Sequence, residues 1–227
     1  MAKFFIRPSM KVYKNVTADR LNTTTPIYAN TNFIVNELFF RRLEKVVQMI
    51  PKDKHGGKVL DLGCGEGVLL PTLNRMFSEV DGLDLKVDIS RFLVEAENLQ
   101  NVHLIEGDMT AFTGSRKYDV IVATDVLEHI LDMDIPVRFV DENLANDGSF
   151  FVSLPTENIF YQMGRTVFRI MPPPDHYHKP NEIIQHFCAN GYQCTQHYRY
   201  PLQVPSWLTV FDICEFKRVS GEKTKYK

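Results

Sequence analysis

Cysteine is scarce in this chain: four thiols, Cys64, Cys188, Cys194 and Cys214, among 227 residues. They form no CxxC pair and no zinc-like spacing. That excludes a metal knuckle or a disulfide scaffold and leaves reduced thiols in a cytosolic setting. No apolar run approaches the roughly 18 residues needed to span a bilayer. Residues 1–10 lack the layout of a secretory signal, so the expected location is cytoplasmic. Neither sign of charge is in excess: 26 Lys and Arg stand against 28 Asp and Glu, a formal net charge of −2. A nucleic-acid partner usually leaves a basic footprint, so none is expected. Internal repeats and low-complexity segments are missing as well. What is present is 44% hydrophobic residues over a length that suits one domain with lids.

Residues 1–30 are polar and turn-prone, broken most clearly at Asn22-Thr23-Thr24-Thr25-Pro26, and read as an arm or lid. Over 32–50, Phe33, Ile34, Leu38, Phe39, Leu43, Val46, Val47 and Ile50 recur at helical spacing until Pro51 ends the helix. Strands and helices then alternate. Strands are expected at Lys58–Leu62, Glu79–Asp84, 102–105, 118–123 and 148–154, with helices at 68–77, 87–98 and 133–144. This alternation implies βαβ units, a parallel sheet and right-handed crossovers. Residues 158–171 are apolar with Arg165 and Arg169 interspersed, and Pro172-Pro173-Pro174 ends them. A short helix over 180–190 follows, closed by Gly191. Strands at Tyr192–Tyr200 and 207–219 then suggest an antiparallel hairpin on the sheet edge, seven strands in all.

The densest chemical signal is Val59-Leu60-Asp61-Leu62-Gly63-Cys64-Gly65-Glu66-Gly67. A buried strand breaks there into a tight turn that lets backbone N–H groups approach a ligand. A dinucleotide turn would need glycine where Val68 stands, and no Gly-Lys-Ser/Thr of a P-loop occurs. The turn therefore suits a nucleotide-like cofactor without a phosphate chain. Strand two ends in Asp84, about 20 residues on, placed to accept hydrogen bonds from ribose hydroxyls. Strand three is followed by Asp108, able to accept from an exocyclic amine, and by Met109, able to pack on the ring. One Asp at a strand end is usually a cap or a turn former. Three at the ends of three successive strands point to a site.

These motifs, VLDLGCGEG, VDGLDLK, IEGDM, YDVIVATDVLEH and LANDGSFFVSLP in this order, resemble the class I S-adenosylmethionine-dependent methyltransferases. The resemblance implies an α/β, Rossmann-like three-layer sandwich with a seven-stranded, mostly parallel sheet and a helical cap. It implies a single domain over 1–227: arm and cap helix (1–50), cofactor core (51–155), cap insert (156–180), and a C-terminal helix with edge strands (181–227). It also implies S-adenosylmethionine as cofactor. Asp61, Gly63 and Gly65, with Cys64, would hold its methionine part; Asp84, beside Leu85, the ribose; Asp108 with Met109 the adenine. Ala123, Thr124 and Asp125 would line the amino-acid end. Acidic residues suit a cationic sulfonium.

The acceptor side lies elsewhere. The Asn/Asp-Pro-Pro-Tyr of enzymes that methylate adenine or glutamine amides is absent after strand four. Asp125, Glu128 and His129 stand there instead, and a helical turn would project them together. His129 could act as general base on an acidic hydroxyl. The carboxylates could instead hold a divalent cation such as magnesium. The segment could also be a plain helix start. The apolar, Arg-bearing 158–171 stretch followed by His176-Tyr177-His178-Lys179-Pro180 resembles the ubiquinone-biosynthesis O-methyltransferases. They carry Glu-x-x-Glu-His where this chain has Asp125-x-x-Glu128-His129, and this chain's loop before Lys179 is shorter. Arg165, His176, Tyr177 and His178 are the expected acceptor-facing residues. His176 and His178 could bind a metal as a His-x-His pair, but the sequence offers no obvious third ligand and no metal site is assigned. Residues 158–171 would either roof the site or touch an anionic bilayer surface, as could the 32–50 helix with Arg41, Arg42 and Lys45. The expected reaction is methyl transfer to a small or lipid-like acceptor, at oxygen. The rivals are a non-catalytic cofactor-binding subunit and a nucleic-acid or protein methyltransferase. For nucleic acid, 39–45 is the one weak match.

Overall fold

A computed structural model describes residues 5–8, 33–112, 116–156, 176–201 and 209–219. The arm apart from 5–8, and most of the cap insert including Arg165, lie outside the described residues. Seven strands form one sheet in the order β3-β2-β1-β4-β5-β7-β6. The chain divides into two compact units, Met1–Asp108 and Met109–Lys227.

In the first unit, helix α1 spans Phe33–Met49. Its apolar face buries Phe39, Phe40, Leu43, Val46 and Val47. Arg42 is wholly buried, its guanidinium 5.0 Å from the centre of the Phe39 ring. Arg41 pairs with Glu37 at 2.6 Å. The basic face expected for a bilayer therefore loses Arg42 to the interior. With Phe39 and Phe40 buried, this segment also offers no aromatic platform for bases to stack on. Strands β1 (Lys58–Leu62), β2 (Glu79–Asp84) and β3 (Val102–Glu106) run parallel, with Asp61 opposite Gly82 and Gly82 opposite Leu104. Val59, Leu60 and Leu62 are buried, as a parallel strand covered on both faces requires. Helices α2 (Leu70–Met76) and α3 (Asp88–Ala96) connect the strands.

The second unit holds β4 (Tyr118–Thr124), α4 (Asp134–Asn143), β5 (Leu144–Pro155), α5 (Pro180–Ala189), β6 (Tyr192–Tyr200) and β7 (Phe211–Arg218). β4 and β5 are parallel; β7 is antiparallel to both β5 and β6. β5 starts at Leu144 rather than at Gly148, because Tyr118 pairs with Leu144 before the register shifts to Val120 opposite Ser149. The chain doubles back closely there: a Cβ on Gly148 would lie 2.8 Å from Leu144 Cδ1. Phe187 of α5 packs against Phe216 at 5.2 Å, Phe150 at 5.3 Å and Tyr192 at 5.6 Å between ring centres. No helix of the described residues is long and apolar enough to cross a membrane.

Candidate active site

β1 delivers Asp61 and then breaks. Gly63, Gly65 and Gly67 all have positive φ, at 71°, 49° and 78°. Side chains other than glycine rarely adopt this region. The turn is tied to the end of β2: Gly63 N–H and Cys64 N–H both donate to Leu83 O, at 2.7 and 3.1 Å. Gly65 N–H donates to Asp84 Oδ2 at 2.8 Å, and Lys86 N–H to Asp84 Oδ1 at 3.2 Å. Asp84 is thus held in place while each of its oxygens keeps a lone pair. The Cys64 side chain turns inward, where a Cβ on Gly82 would meet its Sγ at 3.1 Å. Burial pushes that thiol strongly up.

Asp61 is buried, and its Oδ1 has no hydrogen-bond partner among the described residues. Burial first, then the charge of Asp84, pushes its carboxyl up to about 7. Glu66, in the same turn, is pushed up to about 7 by burial. Buried acids beside a glycine turn with positive φ suit a cationic ligand, whose charge would favour their ionised forms. Leu85, at the end of β2, leaves 66% of its surface exposed. Gly107 N–H donates to Asp84 O at 2.9 Å, which sets Asp108, exposed, beside the end of β2.

In the second unit Ala123 is buried and Thr124 ends β4. Asp125 takes a left-handed φ of 57° and donates its N–H to Ser153 O at 3.0 Å. A strained non-glycine residue here reverses the chain directly after the strand. The expected helical turn is a 3-10 turn, Leu127–His129. Glu128 is buried. Glu128, His129 and His176 present one ligand atom each within 4.8 Å of one another, and Asp125 is not among them. The two imidazole rings lie 4.6 Å apart, nearly edge to face. Tyr177 N–H donates to Glu128 O at 2.8 Å, which holds the 176–178 segment against the 3-10 turn.

His178 lies outside the cluster. Its Nε2 faces Leu131 O at 3.0 Å and its Nδ1 lies 3.9 Å from Glu182. His176 and His178, weighed as a His-x-His pair but not assigned a metal, do not converge on one point. The neighbours of His176 in the cluster, Glu128 and His129, precede it by 48 and 47 residues in sequence, and no local spacing signals that. Two imidazoles and one carboxylate suit a zinc- or iron-class ion; magnesium prefers an all-oxygen shell. Tyr177 and Leu131 leave 51% and 72% of their surfaces exposed beside the cluster.

Residues 35–202 match a family model described as a methyltransferase domain. The chain is 25% identical to a ubiquinone biosynthesis O-methyltransferase of Glaesserella parasuis over 71% of this chain and 77% of that one. It is 31% identical to the enzyme of the same name from Acinetobacter baumannii, over 56% of this chain and 60% of that one. That match spans about three fifths of the Acinetobacter relative. Among solved structures, magnesium protoporphyrin IX methyltransferase from Synechocystis PCC 6803 with bound SAH superposes with a TM-score of 0.66. It shares 18% identity over 89% of this chain and 95% of that one. The chain belongs to the methyltransferase-domain family, as a class I S-adenosylmethionine-dependent methyltransferase.

Proposed function

We propose that this chain, as a single domain, transfers a methyl group from S-adenosylmethionine to oxygen on a small or lipid-like acceptor. The observation that carries the acceptor side is the edge-to-face contact of His129 and His176 beside buried Glu128. When bound, the cofactor supplies a methyl group made electrophilic by a sulfonium. Asp61, ionised, faces the cationic end of the ligand, and its buried oxygen gains the partner it lacks. Asp84 accepts from the ribose hydroxyls, Asp108 and Met109 take the adenine, and Leu85 covers the ring. Ala123 and Thr124 line the amino-acid end. His129 would accept the acceptor's hydroxyl proton, and His176 would share the imidazolium charge with buried Glu128. Tyr177 supplies an apolar rim for the acceptor's tail. The names of the curated relatives support the choice of oxygen and of a quinol-like acceptor.

A second reading rests on the same cluster: Glu128, His129 and His176 would hold a transition-metal ion that orients two adjacent oxygens. His129 then serves as a ligand, and the acceptor loses its proton to solvent.

The test is incubation with methyl-labelled cofactor and polyprenyl catechols, phenols, amines and bulk tRNA, with products read by mass spectrometry. Label on a catechol or phenol oxygen is expected. Label on tRNA or an amine, with none on the phenols, overturns the reading. Activity abolished by chelation and restored by zinc or iron selects the metal form.

A further inference from the structure

The terminal hairpin carries a second chemical site. On β6 and β7, Cys194 stands opposite Phe216 and His197 opposite Cys214. Between them the register shifts, leaving Thr195 as an extra residue. In a regular strand, residues three apart point to opposite faces. The bulge rotates Cys194 and His197 onto the same face as Cys214 and Asp212.

Cys194 and Cys214 are therefore diagonal neighbours across the β6–β7 ladder, and each thiol alters the ionisation of the other. Cys214 is wholly buried, whereas Cys194 reaches the surface. Cys194 Sγ also lies 3.4 Å from Gln196 O. His197 Nε2 sits 2.7 Å from Asp212 Oδ1, which makes the imidazole more basic. Arg199 lies 3.8 Å from the same carboxylate. The Cys214 thiol, helped by His197, draws the Cys194 thiol down to about 7, against burial and the charges of Glu215 and Asp212. Cys194 and burial push Cys214 strongly up, so it stays a thiol. The pair is asymmetric: one accessible sulfur is readily ionised, and one buried sulfur keeps its proton.

We propose that Cys194 and Cys214 form a peroxide-oxidisable thiol pair, Cys194 as the attacking sulfur and Cys214 as the resolving one. The Cys194 thiolate attacks an oxygen of hydrogen peroxide. The O–O bond breaks, hydroxide leaves and takes a proton as water, and Cys194 becomes a sulfenic acid. The Cys214 sulfur then attacks the Cys194 sulfur. The S–O bond breaks, and the hydroxyl leaves as water with the Cys214 proton. Two thiols lose two electrons and one peroxide becomes two waters. The product is a disulfide that ties β6 to β7. Cys214 lies opposite Val152 on β5, next to Ser153, whose carbonyl holds Asp125. The bridge therefore forms one strand away from the acceptor-side loop.

The test is brief peroxide treatment of the full chain, alkylation of the remaining thiols and non-reducing peptide mapping. A Cys194–Cys214 linked peptide, reversed by a thiol reductant, is expected, with Cys64 and Cys188 alkylated. Cys194→Ser should abolish the rapid thiol loss. Cys214→Ser should leave Cys194 as a sulfenic acid that dimedone traps. The wild-type map decides the matter even if the buried Cys214→Ser substitution impairs folding. Oxidation at Cys188 first, linkage between chains, a persistent Cys194 sulfenic acid beside a free Cys214 thiol, or no reaction each overturns the proposal.

Discussion

Asp84 Oδ2 accepts a 2.8 Å hydrogen bond from the backbone N–H of Gly65, so the end of β2 and the glycine turn are locked to each other before any ligand arrives. A Cβ at Gly65 would clear its neighbours, coming no nearer than 4.0 Å to Asp84 Oδ2. Its φ of 49° would still be strained for alanine. Gly65→Ala is therefore expected to cost about 1–2 kcal/mol, chiefly through backbone strain. Cofactor affinity should fall as the turn shifts, while the strands stay folded. Chemical denaturation and calorimetry measure the two effects separately.

Asp61 sets the pH dependence. Its carboxyl stands at about 7 in the folded chain, against about 3.9 unfolded. A raised carboxylate contributes stability that is fully present below the unfolded value and lost as pH climbs through the folded one. A cationic ligand reverses that preference, because it favours the ionised form. Below pH 7 binding must expel the proton, so affinity should rise with pH, by up to about tenfold per unit for one proton, and level off above pH 7. Asp61→Asn should bind weakly with a flatter profile. Glu66 titrates in the same range, and Glu66→Gln measures its share. The readout is calorimetric affinity from pH 5.5 to 8.5.

Gly82 tests packing rather than chemistry. A Cβ there would meet Cys64 Sγ and Leu104 Cδ2, both at 3.1 Å, in the middle of the parallel sheet. Gly82→Ala should destabilise the chain by about 1–3 kcal/mol through overpacking. Gly67→Ala should do at least as much, since it adds contacts of 3.0–3.1 Å with Leu70, Leu93 and Ser90 to a φ of 78°. Thermal unfolding reads both.

His129→Ala should lower kcat by about 10²–10⁴ if His129 is the proton acceptor, with cofactor affinity near that of the wild type. Glu128→Gln should keep the fold and reduce kcat less. Loss of cofactor binding in His129→Ala would remove His129 from the acceptor side.

Most of the fold was legible because its signals are local. Lys58–Leu62, Glu79–Asp84 and Tyr192–Tyr200 run from end to end as their residue patterns indicate. The start of β5 was hidden, since the Tyr118–Leu144 pairing that extends it depends on a register shift. The Asp61–Gly67 turn announces itself through three glycines at alternate positions. The Glu128–His129–His176 cluster does not, because it closes through a Tyr177–Glu128 backbone bond between residues 49 apart in sequence. The sequence groups Arg42 with Arg41 and Lys45, and nothing in its spacing shows that the Arg42 guanidinium is buried over the Phe39 ring. Cys194 and Cys214 match no motif spacing; a register shift in β6 sets them diagonally across the β6–β7 ladder.

The most direct test of the account is calorimetric titration of S-adenosylmethionine into the wild-type chain and Asp84→Ala. Two lost hydrogen bonds to a charged acceptor, at about 1.5–3 kcal/mol each, predict a loss of affinity of at least about a hundredfold. Unchanged affinity in Asp84→Ala would contradict the placement of the cofactor on the Asp61–Asp84 cradle.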